Sequence, residues 1–165
     1  MKKAEYWISR LGLEPHPEGG YFRQVYKAAE EITEGLPDRY TGPRAYSTSI
    51  YFLLTEDNFS SFHRLQSDEI WHFYYGSSIR IHLISPEGNY THVDVGQNME
   101  KGQYFQGLIP NNHWFAAEIL EKKYGLVGCT VAPGFSFEDF ELAERESLVR
   151  LFPQHEALIT RFTRS

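Results

Sequence analysis

The sequence predicts an all-β centre flanked by short helices, and three observations carry that prediction. Between Ala45 and Val131 the chain divides into short apolar–polar runs, with turn residues recurring roughly every 8–12 positions. Aromatic residues make up 16% of the chain, as 12 Phe, 11 Tyr and 3 Trp, and Phe and Tyr suit pleated, half-buried surfaces. Helical spacing is confined to the two ends. Strand counting alone leaves sandwich and barrel both open.

Residues 2–12 read as a helix, because Ala4, Trp7, Ile8 and Leu11 fall on one face and Gly12 is placed to end it. The segment EPHPEGG that follows is punctuated by two prolines and a Gly-Gly pair, and Tyr21 to Tyr26 are strand-like. Residues 28–43 are polar, hold Gly35, Pro37, Gly42 and Pro43, and read as a surface loop. Strands are expected in AYSTSIYFLL, FSSFHRL, DEIWHFYYG and SIRIHLIS, the last alternating Ile79, Ile81 and Leu83 against Ser78, Arg80 and His82. A turn at PEGN leads to YTHVDVG, then QYFQGLIP, HWFAAEIL and KYGLVGCTVAP. After Gly134 the spacing becomes helical, with Pro153 dividing the tail into two short helices. The stretch EDFELAERE is expected to be an acidic helix packing Phe137, Phe140 and Leu142 on the strands. No repeat or linker interrupts the pattern, so residues 1–165 form one expected domain.

Composition narrows the function. A net charge of -6 gives no general attraction for phosphate backbones, so nucleic acid is not an expected partner. The single Cys129, in apolar surroundings, excludes an internal disulfide and reads as a buried inert thiol. MKKAEYWISRLG lacks the apolar core of a signal peptide, and no apolar run approaches the length of a membrane span, so a cytoplasmic protein is the default expectation.

The informative stretch for chemistry runs from His63 to Gly76. His63 lies near the end of one strand and Glu69 begins the next, so a strand, a short turn and a return strand can bring both to one face, a geometry that serves metal binding or acid–base work; the spacing fits equally a His63 that caps the turn and a solvated Glu69. Alternation then turns Trp71 and Phe73 inward with Glu69, and His72 and Tyr74 outward. His16 and Glu18 flank Pro17 before Gly19-Gly20, which reads as turn chemistry or as a segment closing the mouth of the barrel. Arg23 and Arg44 could grip an anion, although a solvated or salt-bridged surface position suits each arginine as well.

The same stretch resembles the first cupin motif, G-x5-H-x-H-x3,4-E-x6-G, with His63 at the first His, Glu69 at the Glu and Gly76 at the closing Gly. Leu65 stands at the second His. Gly102 to Phe115 resembles the second motif, with Pro110 in place and Phe115 where the last metal-binding His would be. HPEGGYFR, STSIYFLL, SDEIWHFYYG, WFAAE and GCTVAPGFSFEDFELA mark a similarity to a small single-domain cupin subfamily catalogued as a domain of unknown function.

The resemblance implies a double-stranded β-helix, or jelly roll, with short N- and C-terminal helices and a ligand at the barrel mouth. His63 and Glu69 are the expected catalytic pair, Glu69 orienting the imidazole. Gln106, Phe115, Tyr51 and Arg23 are the expected ligand-binding residues. No cofactor is expected, since Leu65 and Phe115 offer no lone pair; a divalent ion, if present, would use His63, Glu69 and Gln106. Three functions follow: a metal-independent isomerase- or epimerase-like enzyme on a small polar metabolite, a non-catalytic small-ligand binder, and a metal-dependent enzyme with an incomplete ligand set. Cupins of this size pair sheet against sheet, so a homodimer is expected, with no membrane partner.

Overall fold

The computed structural model describes residues 2–121 and 123–165. It is mostly strand. In chain order the elements are α1 (Ala4–Leu11), β1 (Glu14–Pro15), β2 (Tyr21–Lys27), β3 (Glu31–Ile32), β4 (Arg44–Ala45), β5 (Thr48–Thr55), β6 (Ser60–Arg64), β7 (Asp68–Gly76), β8 (Ile79–Ile84), β9 (Tyr90–Val95), β10 (Gln103–Tyr104), β11 (Gln106–Ile109), β12 (Trp114–Ile119), β13 (Tyr124–Ala132), β14 (Glu141–Leu142), α2 (Arg145–Leu151) and α3 (Glu156–Arg161). One six-stranded sheet has the order β1-β2-β5-β13-β7-β11, the other β10-β9-β8-β12-β6-β14, and β3-β4 form a small ribbon. Strands β5 to β8 alternate between the two sheets, β9 stays beside β8, and the two sheets face each other as a jelly-roll sandwich.

Alternation builds the core. Phe52 and Leu54 of β5, Trp71 of β7, Ile79, Ile81 and Leu83 of β8, Phe115 and Ala117 of β12, and Val127, Cys129 and Val131 of β13 meet between the sheets. The second sheet is apolar on its outer face as well. There Phe62, Ile84, Trp114 and Ala116 pack against Leu148, Phe152, Ile159 and Phe162 of the C-terminal helices. The outer face of the first sheet holds a smaller cluster of Leu13, Leu53, Tyr124 and Leu126, packed by Trp7, Ile8 and Leu11 of α1. Gly12 ends α1 in the left-handed conformation with φ 63°, as its position in the sequence requires.

Two stretches depart from the sequence expectation. QYFQGLIP is not one strand: β10 runs parallel to β9 in one sheet and β11 antiparallel to β7 in the other. Phe105 is the step between sheets, its carbonyl accepting from the Phe73 N–H. EDFELAERE is not a helix. Phe137–Asp139 form a single 3₁₀ turn, and β14 then pairs with β6, Leu142 opposite His63. The reason is tertiary. Arg44 forks onto both oxygens of Asp139 at 2.8 and 2.7 Å and holds this turn over the sandwich end. The helix begins only at Arg145, where the Glu144 carboxylate accepts from the Glu146 and Ser147 N–H groups. Phe137 and Leu142 are consequently exposed, and Phe140 alone of the three tucks under. No helix among the described residues is long and apolar enough to cross a membrane.

Candidate functional site

A cavity of about 420 Å³ opens between the sheets. Inward residues of β2, β5, β7 and β13 form one wall, His63 and Leu65 the other, and the segment from Phe135 to Phe140 covers the rim. Its surface is dominated by Phe22, Phe52, Trp71, Phe135, Phe137 and Phe140. Ionisable groups interrupt that apolar lining: His16, Glu18, His63 and Glu69 within it, and Lys27, Glu31 and Arg44 nearer the rim.

His63 and Glu69 come together as strand, turn and return strand predict, and both are buried. Asp68 faces solvent, as the alternation of side chains demands. The carboxylate that holds His63, however, is Glu18. His63 Nε2 lies 2.5 Å from Glu18 Oε2, and its Nδ1 lies 2.7 Å from the Ser61 carbonyl. A carbonyl only accepts, so Nδ1 carries a proton, and the approach of a carboxylate puts a second proton on Nε2. Burial disfavours charge on either group, yet the two charges and the hydrogen bond between them outweigh it: the His63 imidazole is held above its ordinary value and the Glu18 carboxyl below. The pair is a buried imidazolium–carboxylate.

Glu69 is separate. One oxygen accepts from the Trp71 indole N–H at 2.5 Å, and the other has no hydrogen-bond partner among the described residues. Burial pushes its carboxyl up to about 7, with Glu18 adding to the rise and the Trp71 bond and His63 opposing it. The sequence reading made Glu69 the orienting partner of His63; Glu18 takes that place, and Glu69 stands as a largely unpartnered acid on the cavity wall.

His16 and Glu18 reach the cavity because of the Gly pair. Gly19 adopts φ 109° and Gly20 φ 79°, closing a tight loop in which the His16 carbonyl accepts from the Gly19 N–H. The Glu18 N–H donates to His16 Nδ1 at 3.1 Å, so this ring keeps its proton on Nε2. Burial depresses the His16 imidazole, Glu18 opposes that, and His63 adds to it, which leaves the ring neutral. Arg164 closes the loop from outside, donating to the Glu18 and Phe59 carbonyls, Asn58 Oδ1 and the Ser61 hydroxyl. The signal for Glu18 was present in HPEGG, a carboxylate set between proline and two glycines, but its partner lies far along the chain.

The remaining expected ligand residues are placed elsewhere. Tyr51 and Arg23 project from the opposite face of β5 and β2, since Ile50, Phe52, Phe22 and Gln24 are the inward residues. Arg23 donates to the Leu11 carbonyl, and the Tyr51 ring packs on Tyr74. Gln106 is exposed on β11 opposite the outward His72. Phe115 is buried behind the site, its ring centroid 4.0 Å from that of His63, and supports the imidazole without lining the cavity. Arg44 does line it, but as a buried residue whose guanidinium is spent on Asp139 and the Gly42 and Pro43 carbonyls.

The donors present do not fit a divalent ion. Leu65 and Phe115 occupy two ligand positions of the resembling fold, Gln106 lies on the far face, and His63 Nε2 is taken by Glu18. Among the described residues no three His, Cys, Asp or Glu side chains are grouped to hold a metal.

Comparison with known proteins agrees with this architecture. The family model described as Cupin superfamily (DUF985) matches residues 5–143. The chain is similar to an uncharacterized protein of Saccharomyces cerevisiae, 28% identical over 150 residues that cover 84% of this chain and 74% of the yeast protein. Among solved structures it is similar to a protein from Shewanella oneidensis, with TM-score 0.90 and 39% identity over 99% of both chains. It is also similar to a hypothetical protein from Leishmania major, with TM-score 0.92 and 35% identity over 99% of this chain and 100% of that one. Oxalate decarboxylase from Bacillus subtilis shares the fold at greater distance, with TM-score 0.55 and 18% identity over 90% of this chain and 36% of the enzyme.

Proposed function

The chain belongs to the cupin superfamily, in the family described as DUF985, and we propose that it binds a small metabolite in the cavity between its sheets. The metabolite's polar end meets Glu18, His63 and Glu69, and its apolar body lies against Phe22, Phe52 and Phe140. The observation that carries this reading is the unpaired oxygen of Glu69 on the cavity wall. That oxygen stays accessible from the cavity, so a ligand donor can reach it, and a hydrogen bond to a charged group contributes about 1.5–3 kcal/mol. The volume of about 420 Å³ and the aromatic lining are those of a small-molecule pocket.

Trp71 gives a direct test. Its indole N–H donates to Glu69, so its NMR resonance reports on the site and is distinguished from those of Trp7 and Trp114 by Trp71→Phe. A library of small polar fragments is expected to yield compounds that shift the Trp71 signal and displace one another. Fragments that shift only Trp7 or Trp114 would move the site elsewhere.

One observation favours a second reading, an isomerase- or epimerase-like enzyme. A carboxyl poised at about 7 is matched to taking and returning a proton near neutral pH. Bound hydroxycarbonyl fragments would then exchange a carbon-bound hydrogen with deuterated water, with a pH inflection near 7 that Glu69→Gln abolishes. Exchange that persists in Glu69→Gln excludes this chemistry.

A further inference from the structure

Three groups of the cavity carry positive charge, and protein satisfies two of them, while the neutral His16 keeps an N–H at Nε2. His63 spends both ring N–H groups, one on Glu18 and one on the Ser61 carbonyl. Arg44 spends its guanidinium on Asp139, on the Gly42 and Pro43 carbonyls and on Thr41. At the rim the exposed Lys27 and Glu31 have no side-chain hydrogen bond or ion pair among the described residues. On the acidic side, Glu18 is neutralised by His63, and Glu69 is not neutralised by anything it touches. The inner cavity therefore has no cation to offer an anionic ligand, and one carboxyl oxygen to offer a donor.

Around that oxygen the surface is aromatic. Phe52 and Trp71 pack with ring centroids 5.4 Å apart on one side. Phe135, Phe137 and Phe140 form a cluster on the other, with centroid separations of 4.9 Å between Phe135 and Phe137 and 5.8 Å between Phe137 and Phe140. Aromatic faces carry negative quadrupole charge and attract cations, most strongly where water is excluded. A carboxyl with one oxygen open to the cavity, within walls of this kind, selects positive charge.

We propose that the ligand of this cavity is a small organic cation, a primary ammonium on a compact apolar body, with the ammonium on the free oxygen of Glu69 and the body between Phe52, Trp71 and the Phe135–Phe140 rim. The proposal rests on the reading of the cavity as a ligand site and adds the chemical class. Its pH dependence has a definite sign. The groups facing Glu69 are Glu18, His63, Cys129 and Trp71; Glu18 and His63 are locked in a pair and burial pushes the Cys129 thiol up, so Glu69 is the group that titrates near neutrality. The ammonium binds the carboxylate form, so binding strengthens as pH rises from 6 to 8 and releases a proton on the lower side of that range.

Three probes of one shape test this in calorimetric titrations of the full-length protein: benzylamine, benzyl alcohol and benzoate. Benzylamine is expected to bind saturably and at least about tenfold more tightly than benzyl alcohol, a preference of about 1.4 kcal/mol, while benzoate does not bind. Below neutrality its heat should depend on the buffer, as proton release requires. Glu69→Gln, which keeps an acceptor for Trp71, should bring benzylamine down to the level of the alcohol, and the exposed Phe137→Leu should weaken the amine selectively without a change in melting. If benzyl alcohol or benzoate binds as tightly as benzylamine, or if Glu69→Gln leaves the amine unaffected, the ammonium class is wrong and the ligand site stands. If none of the three binds below about 10 mM, the class and the ligand site both fall.

Discussion

At the scale of single residues, the site is governed by how burial sorts four ionisable groups. A carboxyl moved from 4.5 to about 7 opposes folding once it is ionised. The folded state then binds more protons than the unfolded chain between those values, so Glu69 lowers stability as pH rises through that window, by up to about 3 kcal/mol. Glu69→Gln removes the penalty. It should raise the unfolding free energy at pH 8 and leave it nearly unchanged at pH 4.5, measured by urea denaturation at both. Equal effects at the two values would mean that Glu69 is not the titrating group.

His63 behaves in the opposite way. The resemblance puts it with the ligand at the barrel mouth, whereas in the structure only 3% of it is exposed and Glu18 depends on it. His63→Ala leaves a buried carboxylate alone and should cost about 3–5 kcal/mol. Adding Glu18→Gln should recover at least about 1 kcal/mol of that loss in a double-mutant cycle. Additive losses would show that the contact has no energetic weight.

At the scale of elements, the loop carrying His16 and Glu18 is set by Gly19. A Cβ there would meet the Phe59 carbonyl oxygen at 2.1 Å and the Arg164 guanidinium at 2.6 Å, in a backbone with φ 109°. The carbonyl stands just before β6 and accepts from Arg164, so its retreat would break that bond. Gly19→Ala should cost about 2–4 kcal/mol and shift the His63 ring resonances, because Glu18 moves with the loop. Gly35→Ala is the control, with φ 81° and open space around it, and should show only backbone strain of about 1 kcal/mol. A similar cost for both would make the packing around Gly19 irrelevant. The same scale explains the misread helix at EDFELAERE. Charged residues at helical spacing satisfy a pattern, but the buried Arg44–Asp139 fork and the insertion of Phe140 belong to contacts with distant segments, and these decide the turn.

At the scale of the whole molecule, the outer face of the first sheet remains partly uncovered. Ile70 and Tyr74 on β7 and Leu108 on β11 are 37%, 50% and 55% exposed, with Leu108 directly opposite Ile70. A second copy of the chain is the proposed cover, and two copies of 19.2 kDa should scatter light as a particle of about 38 kDa. Leu108→Lys, exposed and away from the cavity, should yield a monomer with unchanged melting of its fold. A wild-type particle of 19.2 kDa at micromolar concentration rules the dimer out.

What the sequence determined by itself is what short-range periodicity encodes. Alternation in SIRIHLIS and DEIWHFYYG located the strands and put Glu69, Trp71 and Phe73 on one face, and Gly12 ended the first helix where it stands. The pairing of His63 with Glu69 in one cavity was legible because both belong to one strand–turn–strand unit. Tyr51, Arg23 and Gln106 were not legible, because their strands are apolar or mixed on both faces and parity is fixed only by which strand lies alongside. Glu18 shows the same limit most clearly. Its role as the partner of His63 depends on a loop and on strand β6, which β2 to β5 separate along the chain and which the Gly19 turn and the Arg164 clasp bring together. Local periodicity sets which residues share a face; only the closed sandwich decides which face turns inward and which distant charge a side chain meets there, because burial makes that one contact outweigh the local preference of either residue.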